Sequence, residues 1–168
     1  AEQAGGDGLL EVMKTRTGPW AIFRSFSKAY GLAGVRVGYM LCGSEAVASG
    51  FQVVRNAFTV NGIAQAAALA ALEDEPHMRA IVARMARERD RLSLGLKRLG
   101  LNPLPSVGNF VTARTTRVSV DVIADLRDHG ILIAGVPGSG YENAIRITVG
   151  TADDTDAVLT ALEVILAL

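Results

Sequence analysis

Apolar positions recur with two different periods along the chain, and the changes of period mark its elements. Residues 20–26, WAIFRSF, form an apolar and aromatic run behind Gly18 and Pro19, which predicts a buried strand. Residues 35–42, VRVGYMLC, predict a second strand, so SKAYGLAG between the two has to turn. Residues 44–54 suit a short helix, alone or followed by a link. Residues 61–72, NGIAQAAALAAL, are rich in helix formers behind a capping asparagine, Asn61. Pro76 suits the first turn of a longer helix. There Ile81, Met85, Leu92, Leu96 and Leu99 fall near one face, arginines lie opposite as a solvated face, and Gly100 is the stop.

Beyond that helix the pattern alternates. Residues 108–115 and 144–151 predict strands, the second with a period of two, and 131–135 a short strand. Residues 119–130 predict a helix ending in glycine, and the closing run from Ala152 an amphipathic helix whose Asp153 and Asp154 offset the helix dipole. This order argues a small α/β or α+β layer with its helices on one face. Residues 1–8, AEQAGGDG, carry no apolar period and read as a loose or cut end.

Composition narrows the class. With 168 residues and 49% hydrophobic against 20% charged, the chain has the means to build a core and suits one domain or parts of two. The 17 basic and 17 acidic residues balance, with no basic block, which argues against nucleic acid or an anionic membrane as partner. One cysteine, Cys42, gives no internal disulfide, and His77 and His129 lack ligand spacing, so no metal is expected. With no signal peptide and no bilayer-length apolar run in this sequence, a cytoplasmic location is expected.

The unusual stretch is FRSFSKAYGLAGVRVGYM, residues 23–40. A lysine on a tight loop after a buried strand can reach into a cavity, where partial desolvation makes its amine a nucleophile toward carbonyls. Arg36 offers a planar fork for a phosphate, Ser25 and Ser27 add hydroxyls, and the glycines let backbone approach an anion. An amine for an aldehyde beside donors for a phosphate describes a pyridoxal phosphate site. The GVPGSGY loop, residues 135–141, has neither lysine nor following helix and reads as a flexible turn, and Tyr30 and Tyr39 as packing residues.

The segment SFSKAYGLAGVRVGY, residues 25–39, resembles the lysine segment of the fold-type I, pyridoxal-phosphate-dependent aminotransferases of class I/II, above all the histidinol-phosphate aminotransferase branch. GNFV (108–111) and IRITVGT (145–151) are similar to that family's carboxyl-terminal segments in the same order. The resemblance implies the α/β transferase fold, with residues 1–75 as the end of the large cofactor domain and 76–168 as the small C-terminal domain. It implies that Lys28 holds pyridoxal 5'-phosphate as a Schiff base and later moves a proton, and that Ser25, Ser27 and Arg36 bind its phosphate. Arg146 would pair with the substrate α-carboxylate and Asn109 would lie near it. The partners implied are an amino acid, a 2-oxo acid and a second copy in a homodimer, in amino-acid biosynthesis.

Two departures accompany the resemblance. Family members carry a further amino-terminal stretch, with an aspartate for the pyridine nitrogen and an aromatic over the ring, and nothing before Ser25 plays those parts. A fragment is therefore expected, one whose exposed apolar remnant self-associates. The histidinol-phosphate branch also ends its short strand on an arginine where this chain has Ala134, which leaves open an aromatic or other neutral substrate. Beside transamination stand a different pyridoxal phosphate reaction, such as a lyase or decarboxylase, and a non-catalytic regulatory module of the same shape.

Overall fold

A computed structural model describes residues 8–167. The opening stretch read as a loose end lies outside the described residues except for Gly8, which starts a short helix, α1 (Gly8–Lys14). The aromatic run forms strand β1 (Ala21–Ser25), paired antiparallel with β2 (Gly38–Cys42). The second strand is shorter than its apolar pattern: Arg36 adopts φ +56°, a left-handed conformation that ends the ladder, so residues 35–37 belong to the turn. Helix α2 (Glu45–Val54) starts on the Ser44 hydroxyl, and α3 (Gly62–Glu73) on Asn61, whose Oδ1 accepts the Ala64 N–H at 2.8 Å.

Helix α4 (Glu75–Arg98) carries Pro76 in its first turn and ends where Gly100 takes φ +79° and Leu101 N–H donates to Leu96 O at 3.1 Å. The chain divides into two compact units, one ending at Val82 and one beginning at Ala83, so the boundary falls inside α4.

The second unit holds a four-stranded antiparallel sheet in the order β3 (Asn102–Pro103), β4 (Phe110–Arg114), β6 (Ala144–Thr148), β5 (Ala134–Gly135). Helix α5 (Ser119–Asp128) and the closing α6 (Ala152–Leu166) complete it. The period of two in β6 is real: Ile145 and Ile147 are buried, while Arg146 and Thr148 are exposed. Leu92 and Leu96 of α4, Val122 and Leu126 of α5 and Leu162 of α6 pack with these isoleucines into one core. Within the first unit, a smaller cluster gathers Phe26, Val37, Ala64 and Ala68. Its helices leave large apolar side chains in solvent, and the link between them does the same: Val53 is at 85% exposure and Phe58 at 98%. Among the described residues no helix is long and apolar enough to cross a membrane.

The arginines of α4 are not all solvated, contrary to the sequence expectation. Arg91 reaches α6, with Nη1 2.5 Å from Asp156 Oδ1 and Nη2 donating to Ala152 O, while its Nε meets Glu88 Oε2 at 3.0 Å. Thr155, buried at the start of α6, donates its hydroxyl to the same Glu88 oxygen at 3.0 Å. At the other end of α6, Arg117 donates to Ile165 O at 3.1 Å, a cation at the negative end of the dipole, and pairs with Asp125 at 2.6 Å.

A capping box starts α6: Asp154 accepts the Thr151 N–H at 2.8 Å and its hydroxyl at 2.8 Å. The Thr151 N–H, then the Thr151 hydroxyl, hold the Asp154 carboxyl below its ordinary value of 3.8. A carboxylate held low stabilises the fold fully above that ordinary value, and the contribution is lost as acid protonates it in the folded chain. Thermal melts between about pH 5 and pH 2 should therefore show a steeper loss of stability for the parent than for Asp154→Asn. Parallel curves would remove Asp154 from the acid transition.

Candidate functional site

The pairing of β1 and β2 continues into the connection that carries the expected residues. Ser25 stands opposite Gly38, Phe26 N–H donates to Val37 O at 3.2 Å, and Leu32 N–H donates back to Phe26 O at 2.9 Å. Gly31, at φ +69°, closes a turn in which its N–H meets Lys28 O at 3.0 Å. Phe26 is buried beneath, its ring centre 4.8 Å from that of Tyr30 and 5.7 Å from that of Tyr39, so both tyrosines pack as expected. Ala29 and Val37 are buried too. The buried residues of the connection thus point down, and its polar residues are left toward the surface.

Those polar residues are the expected set. Ser25, Lys28 and Arg36 are exposed and Ser27 is half-buried. Ser25 Oγ accepts the Ser27 N–H at 3.1 Å, which orients the hydroxyl and leaves its own proton to donate. Arg36 Nη1 donates to Ala33 O at 2.9 Å, so the guanidinium is held against its own turn. A left-handed backbone on a non-glycine residue costs about 1–2 kcal/mol, and such strain concentrates where a side chain must be aimed.

Two sequence expectations change here. The glycines have unlike roles, since an added Cβ on Gly38 would lie 2.6 Å from Arg24 O, so this glycine permits strand approach and not anion approach. Gly34 meets nothing within 4 Å. Lys28, expected to reach into a cavity, is exposed, and the described residues do not enclose it. A hollow of about 520 Å³ in this unit lies beside Phe23, Tyr39, Phe51 and Arg55, and neither Lys28 nor Arg36 lines it.

The remaining expected residues lie in the second unit. Arg146 is central in β6, in register with Thr112 on β4 and Ala134 on β5, so these three share the sheet face turned away from the isoleucine core. Its guanidinium carbon stands 5.4 Å from the Phe110 ring centre, a cation–π contact. Asn109 is half-buried, and its carbonyl accepts the Val149 N–H at 2.9 Å. The structure thus groups Ser25, Ser27, Lys28 and Arg36 on one connection, and brings the Asn109–Phe110 segment to Arg146 in the other unit. The GVPGSGY loop makes contacts at its far end: Arg114 donates to Gly140 O at 3.0 Å and sits over Tyr141, and Gly140 N–H donates to Glu142. That N–H holds the Glu142 carboxyl below its ordinary value.

Phe110 and Arg89 escaped the sequence reading. Arg89 lies on the apolar stripe of α4, between Met85 and Leu92, and its Nη1 donates to Gly108 O at 3.3 Å. A cation on that stripe was the signal that could have found it.

Comparison with known proteins adds an independent line. The profile of the family "Aminotransferase class I and II" matches residues 3–162. Histidinol-phosphate aminotransferase 1 of Mesorhizobium japonicum is 34% identical over 169 residues, covering 99% of this chain and 46% of that protein. Histidinol-phosphate aminotransferase 1 of Dechloromonas aromatica is 40% identical over 142 residues, covering 84% and 39%. The chain therefore spans less than half the length of these curated relatives. The crystal structure of histidinol-phosphate aminotransferase from Sinorhizobium meliloti with pyridoxal-5'-phosphate superimposes with TM-score 0.79 at 34% identity, over 88% of this chain and 41% of that one. A decarboxylase from Sulfurospirillum multivorans superimposes with TM-score 0.76 at 27% identity, over 98% and 50%.

The unlike roles of the glycines can be checked by urea unfolding. Gly38→Ala should destabilise the chain by about 1–3 kcal/mol, because rigid backbone blocks the new methyl. Gly34→Ala should stay within about 1 kcal/mol of the parent, since it meets open space. Equal losses would contradict the strand-approach role of Gly38.

Proposed function

Because the chain belongs to the class I and II aminotransferase family, we propose that it carries the lysine and carboxylate-reading parts of a pyridoxal-phosphate-dependent aminotransferase. The single observation that carries this reading is the placement of Ser25, Ser27, Lys28 and Arg36 on one β1–β2 connection. The donor set fits pyridoxal phosphate: a primary amine for its aldehyde, with an oriented hydroxyl and a guanidinium on a strained, exposed residue for its phosphate. When bound, the cofactor supplies an aldehyde that condenses with amines and a ring that withdraws electrons. Lys28 Nζ would hold the cofactor and, once freed by the substrate amine, would take the proton from the substrate Cα and deliver it to the carbon that had been the cofactor's aldehyde. Ser25 Oγ, Ser27 and the Arg36 fork fix the phosphate, and so fix the cofactor relative to that amine. Arg146 reads the α-carboxylate, and Asn109 lies close to it. On this reading residues 1–75 would be the end of the cofactor domain and 76–168 the small domain, and the division into two compact units at Val82 and Ala83 falls close to that boundary.

The curated relatives are named for histidinol phosphate. We favour a neutral or aromatic amino donor, with a 2-oxo acid as acceptor. The support is Ala134, which pairs with Arg146 and places a methyl beside it where the resembled branch carries a second cation. The relative lengths support a complete enzyme that includes further chain, and the exposed apolar side chains of the first unit support a homodimer. Decarboxylation is the second reading, favoured by the relative of that name that covers nearly all of this chain.

The test uses the full-length enzyme loaded with cofactor. Lys28→Ala should abolish the visible absorbance of the lysine-bound cofactor and lower amino transfer by about 10³-fold or more. Retention of that band would remove Lys28 from the site. Phenylalanine should outcompete histidinol phosphate as donor in the parent enzyme, and carbon dioxide release without amino transfer would select the decarboxylase reading.

A further inference from the structure

A guanidinium whose side chain is 11% exposed, held among the leucines of α4, calls for a reason. Arg89 projects from the apolar stripe of that helix, where Met85, Leu92 and Leu96 face the core. Its Nε is buried and makes no hydrogen bond, and the nearest carboxylate oxygen, on the exposed Asp90, lies 3.9 Å away. A buried donor left unmade costs about 1–3 kcal/mol, so a methionine of similar length would serve packing better. What Arg89 does make is a bond from Nη1 to Gly108 O at 3.3 Å.

That carbonyl belongs to the residue before Asn109, in a segment bound at successive steps. Gly108 N–H donates to Ser106 Oγ at 3.2 Å, and the same hydroxyl donates to Phe110 O at 2.6 Å. Asn109 O accepts from Val149, and the Phe110 ring lies under the Arg146 guanidinium at 5.4 Å. A continuous set of contacts within the second unit therefore runs from Arg89 through residues 106–110 to Arg146.

We propose that Arg89 is a positioning residue for carboxylate recognition: by gripping Gly108 it fixes Asn109 and Phe110, and through the Phe110 ring it sets the direction of Arg146. This rests on the reading of Arg146 as the carboxylate contact. An arginine on the exposed face of a strand has many rotamers, and a bidentate grip on a carboxylate requires one of them. The aromatic face selects that rotamer before substrate arrives, and the ordering is complete before binding.

The experiment compares Arg89→Met, Arg89→Lys, Phe110→Leu and Arg146→Ala in the full-length, cofactor-loaded enzyme. Calorimetry measures binding of 3-phenylpropanoate, an amino-acid skeleton without its amine, against 3-phenylpropanamide, and steady-state kinetics separate KM from kcat. Arg89→Met should weaken carboxylate binding and raise KM about tenfold, leave amide binding unchanged, and alter kcat less than about twofold. Arg89→Lys, which keeps a donor near Gly108 O, should recover part of that loss. Phe110→Leu leaves the Arg89 bond intact and should reproduce the carboxylate-specific loss, which covers the case in which Arg89→Met does not fold. The proposal is overturned if Arg89→Met binds the carboxylate as the parent does, if it loses carboxylate and amide binding equally, or if Phe110→Leu is silent. Arg146→Ala that keeps the preference for carboxylate over amide would instead overturn the underlying reading of Arg146.

Discussion

The register of the β1–β2 hairpin is the constraint on which the candidate site depends. A slip of one residue would exchange the faces of both strands and turn Phe26 outward. The pairing of Ser25 with Gly38 prevents it, because only a glycine fits where a Cβ would stand 2.6 Å from the Arg24 carbonyl oxygen. The bond from Phe26 N–H to Val37 O then extends the ladder one step beyond the strands, and Leu32 N–H folds the connection back onto Phe26 O. With the buried residues of the connection committed downward, Lys28 and Arg36 are left on its outer side without needing a contact to each other. The placement of the candidate residues is thus a by-product of how a buried phenylalanine is packed and of the left-handed backbone at Arg36.

The two units divide the physical work unequally. The second closes a core of leucines, isoleucines and valines between its sheet and helices, and locks α6 at both ends with Arg91 and Arg117. The first buries a small cluster and exposes Phe58, Val53, Val54 and Ile63. Burial of a large apolar side chain contributes about 1.5–3 kcal/mol, so these exposed residues represent stabilisation that the described chain does not realise by itself. Phe58 adds backbone strain at φ +56° to full exposure, a combination that a free surface does not favour.

Local signals were legible wherever one short-range interaction decides the outcome. Asn61 caps α3, Gly100 ends α4, and the alternation of β6 places Arg146 outward, each as its neighbours in sequence dictate. The misreadings share a different cause. Residues 35–37 look like strand because Val35 and Val37 are β-formers, yet the backbone of Arg36 is set by the turn it closes. Arg91 looks solvated from sequence because its partners, Asp156 and Ala152 O, lie more than sixty positions away. Short β3, with two residues, carries no periodic signal at all. The resemblance named the candidate residues, but not the Phe110 contact of Arg146, because cross-strand neighbours are chosen by register and not by spacing.

The sheet face around Arg146 also shows which positions can change without disturbing the core. The backbone bonds of β4, β5 and β6 fix where positions 112, 134 and 146 stand, whatever side chains they carry. A change at position 134 alters the surroundings of Arg146 without touching the core, since the buried isoleucines of β6 lie on the other face. The lysine connection has no such freedom: its buried phenylalanine, close-approach glycine and left-handed arginine each constrain the next. Side chains on that sheet face are therefore free to vary while those of the lysine connection are not, and the methyl of Ala134 is the point at which this chain departs from the histidinol-phosphate branch it resembles.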